Sequence, residues 1–316
     1  MRFHSSAPLR SRSGLARTFL TAVLLLAAHS HASAESPVKL INAEARAGNV
    51  VVTPVRDSIS MLSGSGGNIA VLSSTEGKFM VDGGITLSQE PLQAALDRLG
   101  PGKPKYLINT HWHWDHADSN GWLHGLGATI IAHPNSLQHL SETVRVEDWQ
   151  YTFEPVPTNA RPTSLVNSSR TIDFAGEKAL VKYYGPAHTD GDLYVYFERT
   201  DVLATGDTYW NGVYPFIDTV AGGSIDGMIQ AAETNISRST DKTIVIPGHG
   251  PLAKRADLME YRDMLVEIRK NVAALKRQGK TLDEVIAARP TAKFDPKWGN
   301  FVINPAFFTR LVYRGV

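Results

Sequence analysis

The sequence predicts a mixed α/β fold in which layers of strands and helices stack within one domain. Three observations carry that prediction. Short strand patterns crowd the stretch from Val50 to Val81, separated by Gly/Ser turns. A second run of strand patterns fills residues 170–207. Helical periodicities lie between and after the two runs and supply cover for both.

In chain order, the first run reads VVTPV, DSISMLSG, NIAVLSS and KFMVD. Glu90–Leu99 reads as a helix, with Leu92, Ala95, Leu96 and Leu99 on its apolar face. A strand at Tyr106–Asn109 leads directly into THWHWDHADSN, and ATIIAHP is the next strand. Asn135–Leu140 is a short helix, and residues 142–169 read as a long connection holding Trp149, Tyr151 and Phe153. The second run is RTIDF, ALVKYYG, LYVYFE and DVLATGD. Ile225–Ile236 is helical, TIVIPG returns as a strand, and Asp257–Arg277 is an amphipathic helix whose Met259–Leu275 stripe packs on a sheet. Thr281 and Glu284 stand in capping-box spacing at the start of a helix that Pro290 ends. From about residue 253 the chain is expected to form a helical extension of a single domain covering 35–316. The aromatic tail, with Trp298, Phe301, Phe307, Phe308 and Tyr313, is expected to seal a core edge, shape a substrate mouth or form a dimer contact.

Residues 1–34 read differently. Arg2, Arg10, Arg12 and Arg17 precede an uncharged run from Thr18 to Ala28, and Ala32-Ser33-Ala34 follows. That order reads as a cleavable signal peptide with its cut expected after Ala34, which implies a periplasmic or secreted protein; the other reading is an N-terminal anchor left uncleaved. The apolar run is shorter than the roughly 20 residues a membrane span needs, so no integral span is expected after cleavage. The leader removes four of the 32 basic residues and none of the 31 acidic ones, which leaves a net charge of three negative. A mildly acidic chain is not built to bind nucleic acid. The absence of cysteine excludes disulfides, thiolate metal sites, Fe–S clusters and cysteine nucleophiles. Any metal must be held by His and carboxylates.

Such residues concentrate where strands end. His111, His113, Asp115 and His116 form H-W-H-W-D-H after the strand YLIN. In an extended stretch, residues two apart share a side, so His111, His113 and Asp115 are expected to converge, with His116 facing a neighbouring position. Imidazoles with a carboxylate suit Zn²⁺ and similar ions. His188 lies in GPAHTDGD between two strands, Asp207 ends DVLATGD, and His249 stands in PGHGP between glycines that permit close approach. Rigid scaffolds commonly assemble sites from such loops.

These residues, together with Asp82 in FMVDGG, resemble the metallo-β-lactamase superfamily in order and approximate spacing from about Val50 to Pro251. The resemblance implies a four-layered αβ/βα sandwich of two mixed β-sheets, with helices on the outer faces and metals at one edge. It implies one metal site of His111, His113 and His188, and another of Asp115, His116 and His249, with Asp207 bridging. Asp82 is then expected beside the ligands, supporting them. The cofactors implied are two zinc ions per chain. Two ions about 3.5–4 Å apart share a bridging water whose pKa falls towards about 7, so a metal-bridging hydroxide attacks a small carbonyl substrate: ester, lactone, thioester or amide. Asp115, itself a ligand, is the expected catalytic residue that orients the water and shuttles its proton.

Departures within the family narrow the reading. His113 stands where the diiron flavoproteins have a carboxylate, which favours hydrolysis over redox chemistry. Lactamase groups with a zinc-bound cysteine are excluded, and Asp207 differs from the serine of another group. That Asp is more like glyoxalase II and lactonases, although an exported enzyme has little access to a glutathione thioester. Two other readings stand beside the hydrolase: a β-lactamase, and a periplasmic metal-binding or redox-accessory protein with little turnover. Among further residues, Trp112 and Trp114 either line the metal pocket or pack beneath it, with packing the favoured reading. Tyr209, Trp210 and Tyr214 suit either a substrate wall or a loop core, Lys254 and Arg255 a helix start. His124, His133 and His139 are expected to be structural or exposed, not ligands.

Overall fold

A computed structural model describes residues 36–316, so the proposed leader lies outside the described residues. The first element is a helix not anticipated above, α1 (Pro37–Ala47), with proline in its first turn and Gly48 closing it at φ 76°. Both are the terminal residues such a helix favours.

Four strands follow as an antiparallel meander: β1 (Val51–Arg56), β2 (Ile59–Ser63), β3 (Ile69–Ser74) and β4 (Gly77–Val81). After α2 (Gln89–Arg98) comes β5 (Pro104–Ile108), parallel to β4. The helices α3 (Trp114–Ala117) and α4 (Asn120–Gly125) lead to β6 (Thr129–Ala132), parallel to β5, and then to α5 (Pro134–Ser141). A correction falls in the stretch expected to be a plain connection. It contains β7 (Val144–Val146) and β8 (Tyr151–Phe153), which pair antiparallel, and β9 (Ser164–Leu165), which joins the first sheet beside β6. Three-residue strands are below what periodicity can register, and aromatic packing on Trp112 and Trp114 secures them.

The second sheet takes β10 (Ser169–Phe174), β11 (Glu177–Tyr183), β12 (Leu193–Phe197) and β13 (Val202–Ala204) as antiparallel neighbours. After α6 (Ile225–Arg238), β14 (Ile244–Ile246) lies parallel to β13. The remaining helices are α7 (Arg255–Arg277), α8 (Leu282–Ala287), α9 (Asp295–Trp298) and α10 (Pro305–Arg314). Thr281 and Glu284 close the expected capping box on α8. No helix among the described residues is long and apolar enough to cross a membrane.

The seven-stranded and five-stranded sheets pack face to face. Alternation along each strand decides the layers. Ala70, Leu72, Phe79, Val81, Ile108 and Ile131 face inward and meet Val181, Val195, Phe197 and Ile246 of the other sheet. Their neighbours Ile69, Val71, Met80, Leu107 and Ile130 face out and are covered by Leu92, Ala95 and Leu96 of α2 and Leu123 of α4. On the far side Val245 joins Met228 of α6, Tyr261 and Leu265 of α7, and Phe308 of α10. The result is the αβ/βα sandwich.

Candidate metal centre

The parallel pairs β4–β5 and β13–β14 bring four strand ends together at one edge of the sandwich. Asp82 follows β4, His111 and His113 follow β5, Asp207 follows β13, and His249 follows β14. Carboxyl ends of parallel strands are where α/β folds place ligands. His188 enters from the loop between β11 and β12, while Asp115 and His116 stand on α3.

All seven anticipated ligands meet there, in two groups. His111, His113, His188 and Asp207 form one, and Asp115, His116 and His249 form the other, with ligand atoms inside each group within 4.8 Å of one another. One expectation needs correction. The extended stretch stops at His113, and the helical turn of α3 carries Asp115 away from His111 and His113 and into the group with His116. Asp207 stands between the groups. Its Oδ2 lies 3.5 Å from His188 Nε2 and 3.4 Å from His249 Nε2, and its Oδ1 lies 3.0 Å from His116 Nε2.

The outer nitrogens of four histidines are already committed. His113 Nε2–H donates to Asp218 Oδ2 at 2.9 Å, His188 Nδ1–H to the Phe216 carbonyl at 2.9 Å, and His116 Nδ1–H to Asp82 Oδ2 at 2.8 Å. His111 Nδ1–H donates to Thr110 Oγ1 at 3.0 Å, and that hydroxyl donates to Asp82 Oδ2 at 2.8 Å. Each partner fixes a tautomer and turns the other nitrogen's lone pair inward. His113 Nδ1 consequently stands 3.1 Å from His111 Nε2 and 2.9 Å from His188 Nε2, three lone pairs aimed at one another.

Neutral imidazoles in that arrangement repel unless a cation sits among them. The charges agree. Asp82, Asp115, Asp207 and Asp218 are buried with only histidines as ionic partners among the described residues. Burial pushes His111 and His113 below their ordinary pKa, and neighbouring histidines push His111 further. Burial acts the same way on His249, yet Asp207 and Asp115 outweigh it and hold it up at about 9; His116 is raised for the same reason. His116 Nε2, His249 Nε2 and Asp207 Oδ1 are buried without hydrogen-bond partners. Uncompensated buried groups of both kinds are costly, and a divalent cation satisfies them together. The residues fit metal.

Support for the ligands is extensive. Asp82 does more than end a turn: besides His116 it accepts from Thr110 N at 2.8 Å, in a left-handed backbone at φ 66°. Asp218 was missed, because its partner His113 lies 105 positions away and only its place inside the apolar run VYPFID signals burial. It also accepts from the backbone N–H groups of Val220 and Ala221. Asp192, with a carboxyl pushed up to about 6 by burial, accepts from His188 N and Thr189 N and ties the His188 turn. Gly248 is required beside His249, since a Cβ there would stand 2.0 Å from Asp207 Oδ1. Replacing Asp218 by alanine should cut metal affinity about 10–100-fold by freeing the His113 ring. Competition with a chelating dye measures this, and unchanged affinity would remove Asp218 from the account.

Other residues divide cleanly. Tyr209 and Tyr214 lie in the core against Tyr261 and Phe308, whereas Trp210 packs its ring 4.1 Å from His249 and lines the cavity over the centre. Trp112 is buried and Trp114 half-buried, packed with Phe153 and Trp149. His124, His133 and His139 sit outside both groups, bonded to the Ala128 carbonyl, Asn135 N and Asp190 respectively. Phe307 and Phe308 are core residues, while Phe301 lines a second opening beside His249.

Residues 62–272 match the family description "Metallo-beta-lactamase superfamily". The chain belongs to the metallo-beta-lactamase superfamily. Its two His/Asp groups have the composition and spacing to hold divalent metal. Solved structures share its fold at low sequence identity. A stereoselective inverting sec-alkylsulfatase from Pseudomonas sp. is 15% identical, with TM-score 0.64 over 84% of this chain and 50% of that one. This chain thus spans half the length of that enzyme. A metallo-beta-lactamase family protein from Thermus thermophilus is 18% identical, with TM-score 0.60 over 84% and 90% of the two chains. A metallo-beta-lactamase from Pontibacter korlensis is 18% identical, with TM-score 0.55 over 69% and 99%.

Proposed function

We propose that this superfamily member is an exported, binuclear, zinc-dependent hydrolase of a small carbonyl substrate. The observation that carries the reading is the position of Asp207, whose two oxygens lie within 3.5 Å of nitrogens from both ligand groups. His111, His113 and His188 would hold one ion, Asp115, His116 and His249 the other, and Asp207 both. When bound, two such ions supply a water-derived nucleophile at neutral pH and polarise the carbonyl oxygen.

The protein's own groups do the rest. Asp115 lines the cavity over the centre, where its carboxylate accepts the proton of the attacking water and returns it to the leaving group. Trp114, Trp149, Trp210, Phe216 and Ile303 line the same cavity and exclude bulk water, which strengthens every charge interaction inside it. His249 is the most exposed ligand at 8%, and an opening bounded by Ile41, Glu44, Asn49 and Phe301 reaches it, so substrate arrives from that side.

A panel of an aryl ester, a lactone, a thioester, a chromogenic cephalosporin and a secondary alkyl sulfate tests this reading. Turnover of an ester, lactone or thioester is expected, lost with EDTA and restored by zinc. Turnover confined to the cephalosporin would make it a β-lactamase, and turnover confined to the sulfate an alkylsulfatase. No turnover with two zinc ions bound would favour a metal-binding protein. Cleavage after Ala34 in protein recovered from the periplasm tests export.

A further inference from the structure

Two spaces meet the centre and differ greatly in size. The opening that reaches His249 measures about 250 Å³, whereas the cavity over Asp115 and Asp207 measures about 10 Å³, room for one water-sized group. Ile41 alone among the described residues lines both. It is therefore the partition between the side from which a substrate arrives and the place where it reacts. That partition is firmly held. Val38, Ile41 and Ala45 share the buried face of α1, and Ile41 is 8% exposed. Ile41 and Ala45 pack with Ile85 and Trp114, whose indole N–H donates to Asn42 Oδ1 at 2.9 Å. A β-branched side chain in a helix has one strongly preferred χ1, so Ile41 does not swing aside.

The remaining walls of the small cavity are apolar and braced. The rings of Trp149 and Phe216 lie 4.4 Å apart, that of Trp210 lies 4.1 Å from His249, and Ile303 completes the enclosure. An ester carries a substituent on each side of its reacting carbonyl, and only one of the two spaces takes a large one. A cavity of roughly 150 Å³ holds benzene, so the opening has room for an aromatic ring. Hydrolysis yields a neutral alcohol and a carboxylate anion, and a centre built for cations retains the anion longer. The alcohol part thus belongs in the opening, which is its exit, and the acyl substituent belongs in the small cavity.

We propose that Ile41 is a specificity-determining residue that restricts the enzyme to esters of a short acyl group, acetyl in size, with a large alcohol part. The substrate class rests on the proposed hydrolysis, whereas selection by size is also read from binding alone.

The test uses benzyl(methyl)phosphinate and benzyl(butyl)phosphinate, which carry both ends of an ester on two P–C bonds that water does not cleave. Titrated into the zinc-loaded protein by calorimetry, the methyl compound should bind at least about tenfold more tightly than the butyl compound. In Ile41→Ala, which joins the two spaces, the affinities should come within about threefold of each other. Val38→Ala loosens the same buried face of α1 but borders neither space, and it should keep the tenfold preference. Equal affinities in the unmodified protein, failure of both phosphinates to bind, an unchanged ratio in Ile41→Ala or an equal shift in Val38→Ala would overturn the proposal. The comparison in the unmodified protein decides the matter even if Ile41→Ala does not fold. Phenyl acetate should likewise exceed phenyl butanoate at least about tenfold in kcat/KM, and equal values would overturn the substrate class. Selective phosphinate binding by a protein that turns over no ester would defeat the hydrolase reading alone.

Discussion

Replacing His188 by alanine should abolish hydrolysis while leaving the fold in place. His188 is wholly buried, and its Nε2 completes the convergence with His111 and His113. Its Nδ1–H donates to the Phe216 carbonyl, which holds the ring with Nε2 turned to the other two histidines. Loss of an outer-shell partner typically costs 10–100-fold in metal affinity or activity, so loss of the ligand itself should exceed about 10²-fold. The turn that carries His188 is held separately, by Asp192 accepting from His188 N and Thr189 N. Far-ultraviolet circular dichroism should therefore be unchanged while ester turnover falls below about one-hundredth. Full activity in a folded variant would mean the ligand assignment is wrong.

Asp207→Ala should discriminate between the two groups. Asp207 stands closer to the second, at 3.0 Å from His116 and 3.4 Å from His249, than to the first, at 3.5 Å from His188 and 3.9 Å from His111. Without it the first group keeps three imidazoles, and the second keeps Asp115, His116 and His249 while losing the carboxylate that compensates its histidines. The second ion should be weakened more than the first, with one tight and one weak equivalent in a zinc titration. Two equivalents of unchanged affinity would end the bridging role.

What the sequence discloses about this centre follows from distance along the chain. His111, His113, Asp115 and His116 lie within six residues, and a cluster so dense announces metal by itself. Even there strand alternation misleads, because the backbone turns helical at Trp114 and sends Asp115 to the other group. Asp82 is reached only through the family resemblance, since its bonds to Thr110 and His116 span about thirty residues. Asp218, 105 positions from His113, carries no local signal beyond an acid in an apolar run. The layers are legible for a related reason: alternating strands such as Ile69–Leu72 state which face is buried. The β7–β8 hairpin and α1 are not, for the hairpin's strands are three residues each and both elements lean on contacts made around the centre. Trp149 packs on His113, and Ile41 lines the cavity above it.

In the proposed function, seven buried side chains form one cage for two divalent ions. Metal content of the purified protein, measured by plasma mass spectrometry after dialysis against metal-free buffer, tests it most directly. Two ions per chain, predominantly zinc, are expected. One ion, or none that zinc can restore, would contradict it.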